Sequence, residues 1–99
     1  MKTWLVLISM IFSQLTFADG NAGKQKASTC AACHGPEGIS PNNLWPNLAG
    51  QKDQYILEQL KAFRDGTRVN AMMSPVAKML QEQDMKDLAD YFSQLKGSN

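Results

Sequence analysis

The sequence contains a single histidine, His34, and only two cysteines, Cys30 and Cys33. A closed structural zinc site needs four ligands, and this chain has too few Cys and His residues to supply them. No stretch shows a convincing strand pattern, so a thioredoxin-like βαβ setting for the two cysteines is absent. There is no internal repeat and no low-complexity segment. An excess of one charge is missing as well: ten basic residues face nine acidic ones, for a formal net charge of +1. That balance argues against nucleic acid and against strong binding to anionic membranes, both of which usually show as a basic excess. Finally, no apolar run reaches the roughly 20 residues that a membrane-spanning helix requires.

The chain does carry a shorter apolar run at its start. Residues 1–18 read MKTWLVLISMIFSQLTFA, with Lys2 as the only charge. The apolar stretch from Trp4 to Phe12 is broken only by Ser9, and Thr16-Phe17-Ala18 has the small-x-small form of a cleavage site. These are the three parts of a secretory signal peptide, and cleavage after Ala18 is expected. The remaining Asp19–Asn99 segment has 81 residues, nine basic and nine acidic, and no net charge. A domain of that size buries a limited share of its surface and often needs a disulfide, a metal or a cofactor as a staple.

Four helical patterns follow. The first spans about Asn21 to Cys33, with Asn21 as a possible cap and Gly35-Pro36 as its stop. Residues Gly35 to Gln51, GPEGISPNNLWPNLAGQ, are too rich in Gly, Pro and Asn for regular structure. So long a loop is usually functional, and its Ile39, Leu44, Trp45 and Leu48 need an apolar surface to cover. Asp53 opens a second helix that ends before Gly66, with Ile56, Leu60 and Phe63 on one face. Ser74 and Pro75 read as cap and first residue of a short third helix ending near Leu80. The last pattern runs from Glu82 to Lys96, with Gly97 as its stop and Met85, Leu88, Phe92 and Leu95 as its apolar face.

Cys30-Ala31-Ala32-Cys33-His34 is C-x-x-C-H, the attachment signature of c-type haem. Two thiols separated by two residues can add across the two vinyl groups of the porphyrin. The next residue then lies beneath the iron, where its imidazole becomes an axial ligand. A plain structural disulfide is the bland alternative, but so short a loop adds little stability. Export favours haem as well, since covalent haem attachment in bacteria takes place outside the cytoplasm. With no second histidine, the sixth ligand cannot be a His, and methionine is the usual partner. Met72, Met73, Met79 and Met85 are available after the signal segment. Met85 lies on an apolar helix face and Met79 in the short third helix, where both can serve as core. Met72 and Met73 precede the Ser-Pro helix start, and spacing alone does not separate them.

These residues resemble class I c-type cytochromes, in particular a single domain of the bacterial tandem dihaem proteins of the c-four type and their one-haem relatives. The likeness covers most of Asp19 to Leu95. It includes Cys30 to Gly35, the Pro46-Asn47-Leu48-Ala49-Gly50-Gln51 stretch, Tyr55, Gln59-Leu60, Phe63, Gly66, and Gln83-Asp84 through Leu88-Ala89-Asp90-Tyr91-Phe92. The resemblance implies an all-α class I cytochrome c fold, with about four helices and a long loop wrapped around one covalent haem. It implies that Gly23 lies where the N- and C-terminal helices cross, against Tyr91 or Phe92. Pro46, twelve residues after His34, matches the proline whose carbonyl accepts a hydrogen bond from the ligand imidazole. Met73, seven residues before Leu80, matches the family's methionine ligand. One departure is Gln81, which stands where the family often has a Ser or Thr cap.

The expectation is thus a signal peptide over 1–18 and a monohaem domain over 19–99. Cys30 and Cys33 would attach the haem, and His34 and Met73 would ligate its iron. Such a protein would be a periplasmic one-electron carrier, monomeric, without enzymatic activity and without an integral membrane span. Its partners would be periplasmic or membrane-bound redox proteins. A subunit of a larger redox complex, or a haem enzyme or sensor with an open sixth site, are the alternatives.

Overall fold

The computed structural model describes residues 20–97, together with Thr3. The expected signal segment therefore lies, apart from Thr3, outside the described residues. Helix α1 spans Gly20–Lys26, α2 Ala31–His34, α3 Asp53–Asp65, α4 Met73–Lys78 and α5 Glu82–Gln94. No strand occurs among the described residues, and the fold is all-α.

Helix α5 is the centre of the packing, with α1 crossing it on one side and α3 lying against it on another. Its buried residues, Met85, Leu88, Ala89 and Phe92, repeat at helical spacing and so form one continuous stripe. Ile56 and Leu60 from α3 and Ala27, just after α1, close over that stripe. Phe63 is buried as expected, and Arg68 covers its ring at 4.6 Å. At the α1–α5 crossing, a Cβ on Gly23 would meet the Asp87 carbonyl and approach the Tyr91 Cβ to 2.5 Å. Only glycine lets the two backbones come this close.

The crossing is clasped from the side by Lys26. Its ammonium pairs with Asp87 and, at 3.0 Å, with Asp84. The Asp87 and Asp84 carboxylates raise the Lys26 pKa above its ordinary value. Lys26 in turn holds Asp87 below the usual carboxylate range. Asp84 is lowered first by the Gln81 N–H and then by Lys26.

Helix α3 and its stop are as expected. Gly66 takes a left-handed conformation, φ 85°, and its N–H donates to the Ala62 carbonyl. Elsewhere the boundaries shift for local reasons. Helix α1 is already under way at Gly20, so Asn21 lies inside it. The expected continuous first helix is interrupted by a 3-10 turn over Ala27–Thr29, where the Ser28 hydroxyl donates to the Gln25 carbonyl. Helix α4 begins at Met73, ahead of the expected Ser74 cap. Helix α5 ends at Gln94, where Leu95 turns extended, before Gly97. Gly97 instead packs against the Ala49 carbonyl. Gln81 is also better supported than its type suggests: its N–H donates to the Asp84 carboxylate at 2.8 Å, one arm of a capping box.

Candidate functional site

Cys30, Cys33 and His34 lie on one tight helical turn. The His34 N–H donates to the Cys30 carbonyl at 2.9 Å, and the Cys33 N–H approaches the same oxygen at 3.3 Å. Residues three and four apart on a helix share a face, so both sulfurs and the imidazole are grouped by backbone geometry alone. Both thiols are free and half-buried. Burial, and then the neighbouring Cys33, push the Cys30 thiol above its ordinary pKa.

Gly35 ends this turn at φ 86°, where a Cβ would collide with the Ile39 carbonyl. The chain then enters the long loop, which is closed at its neck. The Gly38 carbonyl accepts from the Leu48 N–H at 2.8 Å and from the Ala49 N–H at 3.0 Å. Ser40 adds a cross-link, its N–H donating to Asn47 Oδ1 at 2.7 Å. Farther on, the Gly50 N–H donates to the Phe92 carbonyl at 2.9 Å, fastening the loop's end to α5. This closure brings Pro46 back over the Cys-His turn. His34 Nδ1 lies 2.8 Å from the Pro46 carbonyl oxygen. A carbonyl can only accept, so Nδ1 is the donor, which leaves Nε2 as the nitrogen free of Pro46. That is the nitrogen a metal would use. His34 is 7% exposed, the one buried polar side chain among the described residues.

The methionines divide cleanly. Met85 is 0% exposed and belongs to the core of α5. Met79, which the sequence allowed as core, is 73% exposed, and Met72 is 52% exposed. Met73 is half-buried at the first position of α4 and packs against the same apolar cluster as Cys30. The structure therefore places Met73, and not Met72, against the cluster that the cysteine turn also touches. Trp45 is half-buried, while Ile39 and Leu44 of the loop and Val69 ahead of α4 are exposed apolar residues.

One contributor escaped the sequence reading. Asn70 Oδ1 accepts the N–H groups of both Met72 and Met73, each at 2.9 Å. The signal was an Asn three residues ahead of the helix start, a capping spacing overlooked beside the more conspicuous Ser74-Pro75.

Residues 20–96 match the sequence profile of the Cytochrome c family. Cytochrome c-554(548) of Halomonas halodenitrificans is 42% identical over 78 residues, which cover 76% of this chain and 94% of that protein. The chain belongs to the cytochrome c family. Cytochrome c4 of Pseudomonas aeruginosa is 39% identical over 95 residues, covering 94% of this chain and 47% of that one. The crystal structure of reduced recombinant cytochrome c4 from Pseudomonas stutzeri superposes with a TM-score of 0.76 at 39% identity, over 81% of this chain and 47% of that chain. This cytochrome thus has the class I fold of the c4 type and spans about half the length of the c4 relatives it matches.

Membership brings haem c as the prosthetic group and electron transport as the class of function. The residues present fit that group. Two free thiols stand one turn apart, the adjacent imidazole turns Nδ1 and not Nε2 to Pro46, and the loop's Leu48 packs against the same apolar cluster as Cys30. No helix among the described residues is long and apolar enough to cross a membrane.

Proposed function

We propose that this cytochrome is a periplasmic one-electron carrier, exported by residues 1–18 and cleaved after Ala18. Cys30 and Cys33 attach its haem, and His34 and Met73 are the axial ligands. The observation that carries the reading is the 2.8 Å contact between His34 Nδ1 and the Pro46 carbonyl on the turn that bears both cysteines.

Bound haem supplies an iron centre that gains and loses one electron. The chain's own residues set the terms of that exchange. Cys30 and Cys33 would hold the haem, each thiol adding across one vinyl group to leave a thioether link. Pro46 fixes the tautomer and the plane of the His34 ring, and the shared proton makes Nε2 a stronger donor. Met73 offers a neutral thioether, which favours the reduced state and raises the potential. Trp45 and Leu48 of the loop exclude water and act in the same direction. With His34 and Met73 both holding the iron, no position would be left for a substrate, and turnover chemistry is not expected. Other periplasmic or membrane-bound redox proteins are the partners.

The test is expression of the full chain with haem-maturation machinery, followed by denaturation of part of the sample. Haem that stays with the unfolded polypeptide, and a low-spin spectrum with the weak long-wavelength iron–methionine band, are expected. A high-spin spectrum that responds to added ligands would replace the carrier reading with a haem enzyme or sensor. Haem lost on denaturation would remove the role of Cys30 and Cys33.

A further inference from the structure

The segment that presents Met73 is held in an unusual way. Helix α4 has only six residues, and its N-cap position, Met72, is itself helical and has no side-chain acceptor to give. The unpaired amides at the start of a helix need acceptors from elsewhere. Asn70 provides them, its Oδ1 taking the Met72 and Met73 N–H groups together. The backbone of Asn70 is tied into the same knot. Its N–H donates to Ser74 Oγ at 3.0 Å, and its carbonyl accepts the Ser74 N–H at 2.9 Å. Four hydrogen bonds therefore converge on one residue, and two of them end on the methionine pair.

We infer that Asn70 is a positioning residue for the sixth ligand: it sets how firmly Met73 holds the iron, and selects Met73 over its neighbour Met72. The inference rests on Met73 as the axial ligand. Asn70 reaches Met73 by a hydrogen bond to its backbone N–H. It acts through the Met73 backbone, by fixing where the first turn of α4 starts. A slip of one residue would present the exposed Met72 in place of Met73. All four bonds lie within five residues, and the three that involve a side chain are exposed to water. Because Asn70 lies outside the buried cluster, its loss should loosen this turn without dissolving the core.

The test uses matured holoprotein in four forms: wild type, N70A, N70D and S74A. Each is titrated with imidazole in the oxidised state, and displacement of the sixth ligand is followed in the visible spectrum. N70A should bind imidazole about tenfold more tightly, as expected for losing an acceptor shared by two amides. Its reduction potential should fall. N70D keeps the acceptor oxygen and should behave like wild type, a rescue that a generally weakened fold would not show. S74A should move in the direction of N70A by a smaller factor. Imidazole affinity that is unchanged in both N70A and S74A, or raised equally in N70A and N70D, would overturn the inference. If N70A does not accumulate with haem, an unchanged imidazole affinity in S74A, or a raised one in N70D, would overturn the inference. An M73L control separates the two levels of argument. Loss of the iron–methionine band in M73L with no effect of Asn70 removes only the positioning role, whereas a band that survives M73L removes the ligand assignment beneath it.

Discussion

The two sides of the proposed haem site are built on different principles. On the histidine side, His34 is buried and its ring is held by Pro46, twelve residues away in the chain. That contact depends on a loop closed at Gly38, on the fastening of Gly50 to α5, and on the cysteine turn packed against the core. On the methionine side, the Met73 N–H is held by Asn70, which is itself tied to Ser74, through exposed bonds that span no more than four residues. The histidine is thus fixed by the fold as a whole, and the methionine by a local turn. Local, solvated structure opens more readily than structure that requires the core to open. The methionine side should therefore yield first to competing ligands, and the histidine side only with the fold.

The largest effect is expected on the covalent side. Replacing both Cys30 and Cys33 with Ala should abolish haem retention on denaturation, and in a domain this small should also reduce the yield of folded protein. Absorbance of the unfolded polypeptide reads the first effect and far-ultraviolet circular dichroism the second. Next in size is a contrast between two methionines. M85A empties a fully buried core position and should cost about 2–5 kcal/mol in denaturant unfolding while leaving the iron–methionine band in place. M73A should do the reverse, removing the band at a small cost in stability. G23A should follow, at about 1–3 kcal/mol, because the added methyl meets the Asp87 carbonyl and Tyr91 at the helix crossing.

The smallest effect is a pH dependence. Asp87 and Asp84 have lowered pKa values, so their contribution is present above the unfolded carboxylate value and is lost as pH falls through their folded values. Lys26 is shifted upward, so its share is retained to strongly alkaline pH. K26M should therefore flatten the loss of stability below about pH 4. At neutral pH it should cost about 1 kcal/mol or less, since the cluster is partly exposed. Imidazole affinity should not change in K26M, because the clasp lies at the α1–α5 crossing. A change there would mean that the two sides are coupled more closely than their separate anchoring implies.

The sequence was most readable where one strong signal acted alone. Asp53–Asp65 has an apolar face at helical spacing and a glycine at its stop, and it forms as expected. The buried stripe of α5 and the partnership of His34 with Pro46 were also legible, the latter only through family likeness. Reading failed where side chains compete with the backbone. Ser28 bonds back to Gln25 and the helical path tightens into a 3-10 turn, although Ala27 beside it is a strong helix former. At α4, Ser74-Pro75 carries the familiar helix-start pattern, yet Asn70 captures the amides two residues earlier and the Ser74 hydroxyl accepts from Asn70 instead. Gln81 looked weak as a cap by type, but the Asp84 carboxylate three residues on accepts its N–H. Met79 could not be assigned to the core or to the surface without knowing which way the last turn of α4 faces, and it proves exposed.

The most direct test of the central claim is a nuclear magnetic resonance spectrum of the reduced holoprotein labelled with 13C at the methionine methyls. An axial methionine methyl lies over the porphyrin ring and is shifted far upfield by its ring current. One such signal is expected, absent from M73L and unchanged in M72L. A shifted methyl that survives M73L, or that disappears in M72L, would contradict the assignment of Met73 and with it the account of how this cytochrome holds its iron.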